Sequence, residues 1–215
     1  LVYDTSYTSN NEGNKSLRSR TYYGNWLYKT KSQCDLYLAC HTNAISTNPE
    51  SVRGTVVLHD IDNNSTDTSD YDGGDFSEHT ANINTSLVLA RKLEDRILQV
   101  MRAYYDPTWM MSFTSGNGVW SVDWQWGEVR GNQKPGALVE YGFHTNTQDA
   151  RALIDERGRR FLAQATYKAI CEYFGTMNYE LPSAITDLTA TPGYNPGEVI
   201  LTWTAPGEDG TSFAA

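Results

Sequence analysis

Two short apolar runs in the chain each end in a side chain suited to acid–base chemistry. The first run, residues 35–44, is apolar until it reaches His41, and the second, residues 134–146, carries Glu140 directly after three apolar residues. Short apolar runs bounded by Pro and Gly are typical of buried strands, often in the parallel part of a sheet. Because ligands and chemistry gather beyond the carboxyl ends of strands in open α/β sheets, the pattern predicts that His41 and Glu140 share one rim. The same pattern also fits an alternative without catalysis, in which His41 is held by a capping hydrogen bond and Glu140 by a salt bridge.

The remaining periodicity predicts helices between further strands. Residues 17–30 are predicted to form a helix with Ser16 as N-cap, and residues 54–59 form a β-branched strand. Apolar positions at three- and four-residue spacing predict a long amphipathic helix over residues 81–104. A last helical region is predicted to begin with Asn146 as its N-cap and to stop at Gly175. The fold class that follows is α/β, a three-layer sandwich with a mixed, partly parallel sheet flanked by helices.

Two unusual loops separate these elements. Residues 60–78 are acidic and rich in Ser, Thr and Asn, which is compatible with a calcium site but favours a solvated loop, because the Gly and Glu of an EF-hand are missing. Residues 105–126 are rich in aromatic residues that could stack on sugar rings. Packing of most of these aromatic side chains against the sheet is the simpler interpretation.

Composition excludes several classes of function. The chain has 215 residues, 39% of them hydrophobic and 20% charged, which is enough apolar material for a core. A net charge of −9 argues against nucleic-acid binding, because phosphate recognition needs a basic surface. No apolar run approaches the ~20 residues of a membrane helix. The three cysteines have no metal-site spacing and are predicted to be small core residues.

The composition changes at residues 178–183, which predicts a linker. Residues 184–215 contain two short strand-like runs, the second ending in Trp203, and they resemble the first two strands of a fibronectin type III domain. Such a sandwich needs about 100 residues. The expected organisation is therefore an α/β domain over residues 1–177, a linker, and an incomplete β-sandwich segment over residues 184–215.

The two runs that carry His41 and Glu140 also resemble a known family. Residues 41–44, His-Thr-Asn-Ala, are similar to the S-H-x-N-A element of the zinc-dependent N-acetylmuramoyl-L-alanine amidases of the amidase-3 type. Residues 135–146 resemble the P-x-x-L-V-E-x-G-F-x-x-N element of that family. Further agreements, in the same order along the chain, are Arg20 with Asn25, Asp35, and Glu128-Val129-Arg130 at the position of a Leu-Arg pair.

The resemblance implies a fold and an activity. The fold would be of the phosphorylase/hydrolase-like type, and the activity would be zinc-assisted cleavage of the amide bond between N-acetylmuramic acid and the L-alanine of the stem peptide in peptidoglycan. By the same resemblance His41 is a zinc ligand and Glu140 the general base, whereas Arg130 and Asn146 are candidates for substrate binding. A monomer that is secreted or lies in the cell envelope is implied as well.

One element of the family is missing before His41. The resemblance requires a D-x-G-H-G element and a Glu ligand on the next helix, and neither occurs in residues 1–40. We therefore expect that the chain lacks an N-terminal segment, binds zinc weakly and is inactive by itself. Two other functions stay open: a catalytically silent wall-binding or adhesion module, and a related zinc exopeptidase.

Overall fold

The computed structural model describes residues 19–21, 23–60, 76–112, 119–122, 128–129, 132–176 and 185–204. The chain divides into two compact units, Leu1–Ile170 and Cys171–Ala215. No helix in the described ranges is long and apolar enough to cross a membrane.

A mixed four-stranded sheet forms the centre of the first unit. Its strands are β1 (Tyr37–Asn43), β2 (Val56–Asp60), β3 (Val119–Val122) and β4 (Gly136–Phe143), and their order across the sheet is β1-β4-β2-β3. β1 pairs with β4 and β2 with β3 in parallel, whereas β2 and β4 are antiparallel. The predicted mixed, partly parallel sheet is therefore confirmed, and the strands that carry His41 and Glu140 pair in parallel.

Within the described ranges, α-helices and short helical turns accompany the sheet. The α-helices are α1 (Phe76–Tyr104), α2 (Thr147–Ile154) and α3 (Glu156–Tyr173). Residues 19–21 and 23–26 are helical and continue into a π-helical turn, Leu27–Lys31, and a 3₁₀ turn covers Pro49–Ser51. The long helix thus begins five residues before the predicted position 81. The last helical region is interrupted at Asp155, which separates α2 from α3.

Both predicted ends of that last region are confirmed. The Asn146 side chain accepts hydrogen bonds from the backbone N–H groups of Gln148 and Asp149, as an N-cap does. At the other end Gly175 has a left-handed φ of 68°. The Gly175 N–H donates to the Glu172 carbonyl, and the Thr176 N–H donates to the Cys171 carbonyl. These two bonds form a Schellman cap, which needs a residue that tolerates positive φ.

The core lies against the central strand. All but one of the eight residues of β4 are buried, because β1 and β2 cover its two edges and helices pack nearby. One cluster of buried side chains joins the strands to the segment before β4; its members are Ala39, Val56, Leu58, Val129, Leu138 and Phe143. Alternation along β4 places Glu140 on the same face as Leu138. The candidate site therefore borders the core rather than a free surface.

The region between residues 105 and 126 departs from the predicted loop. It contains β3, whose Val-Trp-Ser-Val sequence is typical of a strand but was attributed to an aromatic-rich loop. Trp109 is fully buried and its Nε1 donates to Thr55 Oγ1 at 3.0 Å, so the packing interpretation is confirmed for this residue. The side chains of Phe113, Trp120, Trp124 and Trp126, and the acidic residues 61–75, lie outside the described residues.

The second unit contains one antiparallel hairpin. β5 (Thr189–Pro192) pairs with β6 (Val199–Thr202), with Thr189 opposite Thr202. The turn closes with the Gly193 N–H donating to the Glu198 carbonyl at 2.8 Å. Every residue of both strands is exposed, and Trp203 is 49% exposed. The two strands predicted for this segment are therefore present.

Candidate active site

The parallel pairing of β1 and β4 brings the two predicted site residues together. His41 and Glu140 are direct partners in the register, and the pairing becomes irregular immediately afterwards, between His41 and Asn43. The irregularity lies just before the two strands end, at Asn43 and Phe143. His41 keeps 33% of its side chain exposed, which leaves its ring reachable from solvent.

Glu140 is a buried carboxylate with unused hydrogen-bonding capacity. It is 4% exposed, and its Oε2 has no hydrogen-bond partner among the described residues. Burial raises the pKa of Glu140, and the nearby Glu128 raises it further, whereas His41 and His144 act in the opposite direction. A carboxylate with a raised pKa is a stronger proton acceptor than one in water, which suits a general base.

Glu128 is the residue that the sequence analysis did not recognise as part of the site. Its Oε2 lies 2.6 Å from His41 Nε2, and its Oε1 accepts from Arg20 at 2.8 Å and from the Tyr37 hydroxyl at 3.3 Å. Glu128 is 5% exposed. The sequence offered only a weak signal, since Glu128 had been noticed as part of the Glu-Val-Arg match and Arg20 as part of the Arg–Asn match.

Two further histidines are placed by the structure. The Nδ1 atom of His144 lies 3.1 Å from the Thr42 hydroxyl, so His144 borders the site from an exposed position after β4. His59 lies in β2, opposite Ser121, and is buried. The side chain of His79 lies outside the described residues.

A buried lysine lies beneath this group. Lys134 is fully buried. Its Nζ donates to the side-chain oxygens of Asn25 at 3.0 Å and of Asn132 at 3.3 Å. The same Nζ lies 5.3 Å from the centre of the Tyr37 ring. A Cβ atom on Gly24 would come within 2.7 Å of this Nζ. The close approach of the lysine therefore explains why this helical position is a glycine. Burial lowers the pKa of Lys134 from 10.5 to about 8.

We expect the free energy of unfolding to rise between pH 8 and pH 10. The folded state releases the Lys134 proton near pH 8 and the unfolded state near 10.5, so the unfolded state binds more protons in this window. The gain is on the order of 2 kcal/mol. Above pH 10 the effect is opposed by Tyr37, whose pKa burial raises to about 12. Urea unfolding at several pH values measures the rise, and Lys134→Met should abolish it. A flat wild-type curve, or the same rise in Lys134→Met, would contradict the expectation.

The two residues predicted to bind substrate have different outcomes. Asn146 is 2% exposed, and its Oδ1 accepts from the N–H groups of Gln148 and Asp149 while its Nδ2 donates to the Glu50 carbonyl at 3.3 Å. These bonds assign the side chain to capping α2. Arg130 lies outside the described residues. Substrate binding by either residue stays a prediction.

A cavity next to His41 provides room for a bound group. Its volume is 590 Å³, and it is lined by Cys40, His41, Thr42, Tyr141, Leu153, Arg159, Leu162 and Ala163. The Arg159 guanidinium donates to the carbonyls of Leu153 and Ile154, which fixes it at the helical wall. A segment of a substrate or of another chain could therefore lie against β1 beside the imidazole.

The described residues do not fit a complete zinc site. Within the described ranges, no three His, Cys, Asp or Glu side chains lie close enough together to hold a metal ion. His41 is a typical zinc ligand, but its Nε2 is in contact with Glu128, and the nearest strand partner is the buried Glu140. A catalytic zinc needs three protein ligands. We therefore derive no reaction step through a metal.

Comparison with known proteins identifies relatives of the chain. A family model described as N-acetylmuramoyl-L-alanine amidase (Amidase_3) matches residues 2–172. The fold is similar to that of the N-acetylmuramyl-L-alanine amidase Ami1 from Mycobacterium smegmatis, with 17% identity, a TM-score of 0.53, and coverage of 74% of this chain and 61% of that chain. Ami1 from Mycobacterium abscessus gives 18% identity, a TM-score of 0.51 and the same coverage, 74% and 61%. The chain thus spans less than two thirds of the length of either. No curated protein sequence matches significantly.

Proposed function

The chain belongs to the N-acetylmuramoyl-L-alanine amidase family, and from this premise we propose that it hydrolyses the amide bond between N-acetylmuramic acid and the L-alanine of the peptidoglycan stem peptide. Membership of the family supports peptidoglycan amidase activity in general; the bond and the use of zinc are our proposal. The observation that carries it is the register of β1 and β4. That register makes His41 and Glu140 direct partners on two parallel strands, two and three residues before the strands end.

Glu140 is proposed to act as the general base. Its buried, unpaired Oε2 and its raised pKa favour removal of a proton from a water molecule that attacks the scissile carbonyl. When the C–N bond breaks, the same carboxyl group returns the proton to the leaving amine of L-alanine. No atoms or electrons are left over, since the products are a free carboxyl group and a free amine.

Zinc is proposed as the cofactor, with His41 as one of its ligands. A bound zinc ion lowers the pKa of a coordinated water to ~7 and polarises a carbonyl group. The other ligands are then supplied by residues outside the described ranges, because those within them contain no group of three ligands. Glu140 is not counted among the ligands, since a carboxylate bound to the metal cannot also accept the proton of the water.

The substrate suggests where the protein acts. Peptidoglycan is the proposed partner, and a secreted or cell-envelope location follows from that substrate. The β5–β6 hairpin is proposed to be the beginning of a fibronectin type III-like domain, after a catalytic domain over residues 1–177 and a linker over residues 178–183. The net charge of −9 provides no attraction to an anionic wall polymer, so binding must depend on local contacts.

The experiment that tests the proposal identifies the bond that is cut. We expect purified peptidoglycan to release stem peptides with a free L-alanine amino group, detected by mass spectrometry and amino-terminal labelling. A chelator should stop the release, and added zinc should restore it.

Other outcomes would overturn the proposal. Cleavage of free stem peptides, without release of L-alanine amino termini from intact peptidoglycan, would identify an exopeptidase. Tight binding to peptidoglycan with no product in any form of the protein would identify a silent wall-binding module. Unchanged hydrolysis after exhaustive chelation would remove zinc from the proposal.

A further inference from the structure

Glu128 lies where a single carboxylate can control the state of the His41 ring. We propose that Glu128 is a positioning residue that fixes the orientation and the tautomer of His41, and that Arg20 and Tyr37 hold it in place for this role. The proposal rests on the proposed function in so far as His41 takes part in hydrolysis. Its geometry, however, stands on the contacts of the described residues alone.

The contact between Glu128 and His41 determines which ring nitrogen carries the proton. An ionised carboxylate only accepts hydrogen bonds, so the nitrogen 2.6 Å from Glu128 Oε2 must be the donor. In the neutral ring a proton on Nε2 leaves the lone pair on Nδ1. The ring therefore presents Nδ1 as its free acceptor or ligand atom, and a fixed tautomer is what a ligand or a catalytic imidazole requires.

The second oxygen of Glu128 explains why the carboxylate keeps its position. Oε1 accepts from Arg20 at 2.8 Å and from the Tyr37 hydroxyl at 3.3 Å, so the two oxygens have separate partners. Arg20 is 55% exposed, whereas Glu128 is 5% exposed. A salt bridge that served the fold alone would need only Arg20. The shorter contact, on a separate oxygen, is made to His41.

The arrangement also connects the site to its support. The ring of Tyr37 lies under the Nζ of Lys134, which is held in turn by Asn25 and Asn132. Tyr37 and His41 are both on β1, and their even spacing puts them on one face of the strand. Glu128 therefore joins two side chains of the same strand face through different oxygens, which limits rotation of its carboxyl group.

The tautomer of His41 can be observed directly by nitrogen NMR of the ¹⁵N-labelled chain, without substrate or metal. The chain has four histidines, so His41→Gln assigns the signals of His41 by their disappearance. At a pH where the ring is neutral, we expect long-range ¹H–¹⁵N spectra of the wild type to show one tautomer, with the proton on Nε2. A wild-type spectrum with the proton on Nδ1, or with a mixture of both forms, would overturn the proposal even if no variant folds.

Two variants separate positioning from a role in stability. Glu128→Gln keeps the shape, but its amide can accept or donate, so we expect a mixture of His41 tautomers while the signals of His59 and His144 stay unchanged. Tyr37→Phe is the milder comparison, because it removes one of the two donors to Glu128 Oε1 and leaves Arg20 on that oxygen, so the wild-type tautomer should persist. An unchanged His41 spectrum in folded Glu128→Gln would contradict the proposal.

Turnover gives an independent measurement. In a form of the protein that hydrolyses peptidoglycan, Glu128→Gln should lower kcat by ~10–100-fold, as loss of a supporting carboxylate does, with little change in KM. If Glu128→Gln changes the tautomer of His41 but the wild type does not hydrolyse peptidoglycan, the result would count against the proposed function only. If the wild type hydrolyses peptidoglycan and Glu128→Gln keeps both this activity and the wild-type tautomer of His41, the result would count against the role of Glu128 only.

Discussion

Glu140→Gln is expected to lower the rate of peptidoglycan hydrolysis by ~10²–10⁴-fold, the usual contribution of general base catalysis. The amide keeps the size of the carboxyl group in a position that is 4% exposed, so the core around β4 should be undisturbed. It cannot accept a proton from water. The rate is measured as release of L-alanine amino termini per unit time from the same peptidoglycan preparation, with wild type and variant at equal concentration.

The control distinguishes lost chemistry from lost structure. Glu156→Gln makes the same chemical change at an exposed position in the first turn of α3 and should retain the wild-type rate. Zinc content and urea unfolding of Glu140→Gln should match the wild type, since the residue is proposed as a base and not as a ligand. Retention of more than about a tenth of the rate would exclude Glu140 from this role.

Asp149→Ala is expected to cost about 3–5 kcal/mol of the free energy of unfolding. Asp149 is fully buried, and its Oδ2 accepts from the backbone N–H groups of Gly54 at 2.6 Å and of Phe143 at 2.9 Å. Its Oδ1 lies 3.4 Å from Arg53 Nε. Removal of the carboxylate leaves two buried donors unpaired and a guanidinium with one anionic partner fewer, and each of these is costly in the interior. Urea unfolding measures the difference.

Asp106→Ala is the matched comparison. Asp106 also pairs with Arg53, at 2.6 Å, but its side chain is 24% exposed and solvent can replace the lost contact. Its removal should cost about 1 kcal/mol. The bonds to Gly54 and Phe143 imply that the Asp149 carboxylate connects the start of β2 to the end of β4. If Asp149→Ala lowers the free energy of unfolding by no more than Asp106→Ala does, this connection does not stabilise the fold.

Local sequence patterns were sufficient for the elements that carry their own signals. The apolar runs predicted β1 and β4, and the side-chain chemistry of Asn146 and the flexibility of Gly175 predicted the two helix ends. The general rule that chemistry gathers beyond strand ends predicted His41 and Glu140 at one rim, and the register makes them direct partners. The predictions of strands and of helix ends succeeded because each depends on neighbours within a few positions, where periodicity and capping act.

The contacts that were missed join distant parts of the chain. Arg20 meets Glu128 across 108 positions, and Gly54 meets Asp149 across 95. The sequence position of Asp149 is typical of an acidic residue in the first turn of a helix, and nothing local distinguishes that role from a buried acceptor. Lys134 is similar, since no run of residues around it indicates that its ammonium group lies in the core. Such roles depend on tertiary packing, which no short window of sequence contains.

The place of β4 at the centre of the sheet has a consequence for synthesis of the protein on the ribosome. In the described sheet β1 has β4 as its neighbour, although about 100 residues separate the ends of the two strands. At ~5–20 residues per second, translation of that length takes ~5–20 s, during which β1 emerges without its partner. Folding of the sheet must then close long chain segments, which makes it slow compared with a helical bundle of the same size. Nascent chains should therefore depend on a holding chaperone until residue 143 has left the exit tunnel.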